Sequence, residues 1–171
     1  MTGRQPRPIA SLRRNRSGAA AAELALITPL LIIILFGGFE AGTYFWAEQK
    51  VIKGVRDGAR FAGRLPFGYY SCSALNDTNA LAQVQNLTRT GELSGGTAKI
   101  SGWTNDQVTV AVECDAASTY SAGGLYVNQA GGAIRVTVST TVAYPSFFGK
   151  LGFDTTGAVI SSSANAAVMG S

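Results

Sequence analysis

Sixteen consecutive residues, Leu24 to Phe39, carry no charge, and no other feature limits so strongly what this chain can fold into. As a helix the run reaches ~24 Å, somewhat less than the roughly 30 Å hydrocarbon layer of a bilayer. Continuing through Glu40 to Trp46 supplies the missing length. Tyr44, Phe45 and Trp46 then form the aromatic cluster expected where a membrane helix meets the interface. The sequence therefore predicts one single-pass helix.

Charge gives that helix a direction. The chain holds 14 basic and 10 acidic residues, but Arg4, Arg7, Arg13, Arg14 and Arg16 all precede Gly18 with no acid among them. Basic residues before a span stay cytoplasmic, so the N-terminus is expected inside and the downstream region outside. Lys50, Lys53, Arg56, Arg60 and Arg64 follow the helix and weaken this asymmetry without reversing it. Beyond the leader the charges nearly cancel, so the chain lacks the persistent basic face of a nucleic-acid binder, and no nucleic-acid partner is expected.

Secretory cleavage after the apolar run does not fit. The small residues Gly37, Gly38, Ala41, Gly42 and Ala47 are preceded two positions earlier by Leu35, Phe36, Phe39, Glu40 and Phe45, none of them small. Glu23 at the entrance of the run also needs an explanation, because a carboxylate near the bilayer core costs about 2.5 to 3.5 kcal/mol on insertion scales. One reading solvates it at the interface, where a negative charge near the helix start favours the dipole. In the other, Gly18 followed by Ala19 to Ala22 and Glu23 resembles the processing site of type IV prepilins, whose peptidase cuts after the glycine. Ala19 would then carry a new α-amino group able to compensate Glu23 on its own helix or a neighbour's.

Two further segments narrow the resemblance. With Gly18 and Glu23, the stretches "FGGFEAG" at 36–42 and "VRDGARFAG" at 55–63 are similar to the TadE family of tight adherence pilus systems. The resemblance covers the N-terminal third strongly and the tail only in general character. It implies a non-catalytic pilin-like subunit or assembly factor in a bacterial inner membrane, with a periplasmic C-terminal domain and incorporation in a surface pilus as one possible fate. Its implied partners are the membrane, a prepilin peptidase, and other pilin-like subunits or pilus assembly proteins. Leu24 stands where the family's best-recognised processing signal favours an aromatic. The alternative is an uncleaved single-pass envelope protein whose outer domain binds an assembly partner.

The expected fold is α+β: a basic leader (1–18), a transmembrane helix (19–46), its amphipathic continuation (47–64), and a small antiparallel-sheet domain outside the cytoplasm (65–171). Val51, Val55, Ala59 and Ala62 recur at helical spacing. Gly38 with Gly42, and Gly54 with Gly58, form small-xxx-small pairs suited to close helix packing and an oligomer. Pro29 is expected to kink the helix unless packing or Thr28 compensates. A break is expected at Pro66 and Gly68. A second helix is predicted over 79–89, capped near Asn76 or Asp77, ended by Gly91, with Ala80, Leu81, Val84 and Leu87 on one face.

Strands are expected in "DQVTVAVEC" and "AIRVTVSTTVAY", where apolar and polar residues alternate, with weaker ones at 97–103 and 156–168. Residues 115–132 make a long Gly, Ser and Ala-rich connection, a candidate contact surface. Phe147, Phe148 and Leu151 either dock into the core or present an apolar patch to another subunit. If the downstream region lies outside the cytoplasm, Cys72 and Cys114 pair as a disulfide; otherwise they are small core residues.

An enzyme is not expected. The chain has no histidine, which removes Ser-His and Cys-His pairs within it, and it shows no P-loop, dinucleotide fingerprint or metal-ligand cluster. Glu113 and Asp115, two residues apart at a strand's end, read as a solvated face. No metal or cofactor is expected.

Overall fold

The computed structural model describes residues 16–115, 124–127, 129, 131–155 and 157–170. Arg4, Arg7, Arg13 and Arg14 of the leader, and most of the 115–132 connection, lie outside the described residues. Helix α1 spans Arg16–Ala62, α2 spans Thr78–Thr90, and a short α3 spans Phe147–Lys150. Strands β1 (Val108–Asp115), β2 (Ala133–Ala143) and β3 (Val159–Ala167) form an antiparallel sheet in the order β1-β2-β3. The α+β expectation therefore holds: a long apolar N-terminal helix and a small antiparallel sheet.

By its contacts the chain divides into residues 1–41 and 42–171. In the first unit, the large apolar side chains from Leu24 to Phe39 are exposed. Pro29 lies inside the helix and has no N–H to give the carbonyl of Ala25. Thr28 Oγ1 instead donates to the neighbouring carbonyl, Leu24 O, at 2.6 Å.

In the second unit, Val51, Val55, Ala59 and Ala62 are buried at helical spacing, as their sequence periodicity predicts, and Ala47 is buried with them. They share one core with Val84 of α2, the sheet residues Val108, Val112, Val136, Val138 and Ile160, and Trp103. The sheet's other face is polar. Its exposed residues include Thr109, Glu113, Arg135, Thr141 and Ser163, with Glu113 directly opposite Arg135 across β1 and β2. Opposite charges so placed favour the observed register.

Helix α2 begins and ends by its predicted signals. Asp77 accepts a hydrogen bond from Ala80 N at 2.7 Å, and Gly91 closes the helix at φ 91°. Its buried face differs in part from the apolar pattern, because Asn86 and Thr88 are buried while Leu87 is only half-buried. Helix α1 ends at Ala62, two residues short of the expected continuation to 64 and ahead of the expected break at Pro66. The carbonyl of its last residue, Ala62, accepts the Tyr70 hydroxyl, and Phe67–Tyr69 form a single 3-10 turn.

The strand expected at 97–103 is absent, and residues 91–107 form a pinned loop. Asn86 Nδ2 donates to Glu92 O and Gly95 O at 2.9 and 2.8 Å. Arg89 reaches Asn105 Oδ1 at 2.6 Å and Trp103 O at 3.0 Å. Gly95, Gly96 and Gly102 adopt φ values of 70°, 79° and 78°, outside the extended region a strand requires. The weak strand expected at 156–168 is found as β3.

Candidate functional site

Glycine spacing, read from sequence as a packing signal, separates into two environments. A Cβ on Gly54 would stand 2.3 Å from Thr88 O, and one on Gly58 would stand 2.0 Å from Thr88 Oγ1. Both glycines therefore let α2 approach α1 within the chain. Gly37, Gly38 and Gly42 have no neighbouring atom within 4 Å of such a Cβ. Thr88, fully buried, satisfies its hydroxyl by donating to Val84 O at 2.8 Å, which is how a polar residue fits the tightest helix contact. No apolar periodicity marks Thr88 in the sequence; only the facing glycines signal it.

At its other end α1 runs through the proposed processing residues. Gly18, Ala19 and Glu23 are helical and exposed, and the helix already includes Arg16. Ala19 and Glu23 stand four residues apart and so share a face. Side chains lean toward the N-terminus of a helix, which carries the Glu23 carboxylate back over the turn that begins at Ala19.

Cys72 and Cys114 are joined in a disulfide with Cα atoms 5.1 Å apart, tying the segment after α1 to the end of β1. Gly131 closes over it, since a Cβ there would stand 2.3 Å from Cys72 Sγ. Near this bridge, a cleft of about 440 Å³ is lined by Glu113, Asp115, Tyr126 and Arg135. Glu113 and Asp115 are both exposed at the strand's end. Among the described residues, no group of three or more His, Cys, Asp or Glu side chains could hold a metal ion.

The third candidate set, Phe147, Phe148 and Leu151, lies on the segment between β2 and β3. Phe147 and Phe148 are half-buried and Leu151 is exposed. Sequence reasoning missed two companions, Phe153 and Val159, both exposed. It also missed Tyr144, which shares a 2.6 Å hydrogen bond with Thr43 and meets the Tyr44 ring edge-on at 5.1 Å. Elsewhere, burial is the main influence lowering the Lys99 ammonium pKa from its ordinary value, with Asp57 opposing the shift and Lys53 adding to it.

Among the described residues, α1 supplies one helix long and apolar enough to cross a membrane. Searches of curated proteins and of solved structures found no match. Residues 18–60 do match the TadE model, described as TadE-like protein. The resemblance carried by Gly18 with Glu23 and by the two glycine-containing stretches thus stands, over residues 18–60, as a match to the TadE-like family model.

Proposed function

We propose that the protein is a non-catalytic pilin-like subunit, held in the bacterial inner membrane by α1 and trimmed after Gly18 by a prepilin peptidase. Its apolar segment then packs with other pilin-like subunits or assembly proteins, while the C-terminal domain faces the periplasm. The observation that carries this reading is the course of α1. Glu23 follows Ala19 by one turn, and every large apolar side chain of the uncharged run that comes next is exposed. The placement gives the carboxylate a partner in the amine that a cut would create. The Cys72–Cys114 disulfide supports a periplasmic domain, since such bonds persist in oxidising compartments.

N-terminal sequencing of protein recovered from its native cells tests the proposal. A chain beginning at Ala19 is expected, and persistence of Met1 in the assembled protein overturns trimming. Leu24 favours a second reading, an uncleaved single-pass envelope protein whose outer domain binds an assembly partner. That reading requires the retained leader.

A further inference from the structure

The segment between β2 and β3 is built to present apolar side chains. Ser146 Oγ accepts Gly149 N at 3.1 Å and starts α3, and Gly152, at φ 92°, turns the chain immediately afterwards. Phe153 N then donates to Phe148 O at 3.2 Å, and the two rings meet edge-on at 5.8 Å. The turn is thus internally braced while Leu151 and Phe153 remain 56% and 63% exposed. The turn therefore holds two apolar side chains outward in a fixed arrangement, where an apolar partner would gain by covering them.

The base of the segment is fixed beside one point of α1. Tyr144 contacts Thr43 and Tyr44, and Tyr44 Oη donates to Val159 O at 3.5 Å. Phe45 and Trp46, next along α1, are 61% and 65% exposed, and Lys50 Nζ stands 3.2 Å from the Trp46 ring centroid. Two segments separated by about a hundred residues therefore expose aromatic and aliphatic groups around the same tyrosine. Tyr44 lies five residues past Phe39, where the uncharged run ends. A helix crossing a bilayer with that run brings residues 44–46 to the interface, where Trp and Tyr concentrate.

We propose that the turn formed by Phe148, Leu151 and Phe153 is a second membrane contact, seated at the boundary between phospholipid headgroups and acyl chains beside the aromatic cluster of α1. The occupant is a lipid surface, because both ends of the segment, Tyr144 and Val159, are held at Tyr44, where the proposed span reaches the interface. Its composition, Phe and Leu flanked by exposed Lys150, is that of an interfacial anchor, in which apolar groups enter the boundary and a cation meets lipid phosphates. Exposed Asp154 adjoins Phe153 and limits the contact to shallow insertion. The consequence is orientational: a domain joined to a span by one helix rotates and tilts, whereas one with a second contact has a defined face toward the bilayer.

This inference rests on reading α1 as a span, and the test separates the two. The full chain in a Trp46→Phe background is reconstituted into vesicles of phosphatidylcholine and phosphatidylglycerol, with phosphatidylcholine brominated either near the headgroup or near the bilayer centre. Phe153→Trp should lose most of its added fluorescence to shallow bromine and little to deep bromine. Phe36→Trp should be quenched by deep bromine, and buried Trp103 provides an unquenched internal reference. Failure of Phe36→Trp to respond overturns the span, and with it this proposal. A quenched Phe36→Trp with an unquenched Phe153→Trp overturns the second contact alone. Shielding of Phe153→Trp only in cross-linked pairs of chains assigns the patch to a second copy and likewise overturns it.

Discussion

The Trp103 indole donates to Thr140 Oγ1 across 3.0 Å in the buried core, and the same hydroxyl donates onward to Gln107 O at 2.7 Å. This short relay joins the loop before β1 to the middle of β2. Thr140→Val keeps the shape but leaves the indole N–H without its partner, and is expected to destabilise the domain by about 1–3 kcal/mol. Thr140→Ser restores most of that loss. Denaturant unfolding followed by Trp103 fluorescence measures both.

The contact of α1 with α2 should tolerate almost no added volume. Gly58→Ala drives a methyl group into the Thr88 hydroxyl, and Gly54→Ala drives one into the Thr88 carbonyl. Each is expected to cost about 1–3 kcal/mol, the usual penalty of overpacking. Thr88→Ala partly rescues Gly58→Ala, because it removes the clashing oxygen. It leaves Gly54→Ala defective, because the clash there is with backbone, and thermal melts of the paired variants distinguish the two cases.

Beyond their own turn of helix, Gly38→Ala and Gly42→Ala meet no atom within 4 Å. They should leave the domain's melting temperature unchanged. A drop in cross-linked oligomer or pilus yield from either variant would then report contact with another helix. Unchanged assembly from both would remove these glycines from any oligomer interface.

At the proposed processing site, replacing Gly18 with a bulky residue should block trimming and abolish assembly while leaving membrane insertion intact. Glu23→Gln should be trimmed normally yet assemble poorly, since only the partner of the new amine is lost. Mass measurement of the mature chain, set beside pilus yield, separates the two defects. Equal yields from Glu23→Gln and the parent would reject the pairing.

Reduction should loosen the domain. Closing 42 residues of sequence, the Cys72–Cys114 bridge is expected to contribute about 2–4 kcal/mol. Paired Cys72→Ser and Cys114→Ser substitutions should lower the unfolding midpoint accordingly. In native, unreduced protein neither thiol should take up an alkylating reagent, and full alkylation would reject the bridge.

Tyr70 gives the domain an alkaline sensitivity. Burial pushes its phenol up to about 12, while its hydroxyl donates to the last carbonyl of α1. The folded state therefore holds the proton more tightly than the unfolded chain, whose tyrosines titrate near pH ~10. This contribution is fully present below pH ~10 and is lost as pH rises toward the folded value. Tyr70→Phe should lower stability at neutral pH and flatten that alkaline decline in equilibrium unfolding measured across the range.

Elements with one strong local signal were legible in the sequence. Alternation along Val108 to Cys114 and Ile134 to Val142 marked two strands, Asp77 and Gly91 bracketed α2, and Val51 to Ala62 marked the buried face of α1. What failed depended on contacts distant in sequence. Residues 97–103 look extended locally, but Arg89 takes the Trp103 carbonyl, Asn86 pins the preceding turn through Glu92 O and Gly95 O, and Gly102 adopts a positive φ. Thr88 and Asn86 read as a polar helix surface until their partners are known. The aromatic turn was noticed through Phe147, Phe148 and Leu151, but its place beside Tyr44 depends on Tyr144 and on the fold that brings β2 to α1.

The two glycine environments also divide labour along a single helix. At Gly54 and Gly58 the close-approach surface is already occupied by the chain's own Thr88, so another molecule cannot use it without unseating α2. Any self-association through glycine contacts on α1 is therefore left to the stretch up to Gly42; if that stretch spans a membrane as proposed, close fit rather than escape from water drives helices together there. Selection can then reshape the sheet domain and its attachment to α1 without altering the open glycine face at Gly37, Gly38 and Gly42.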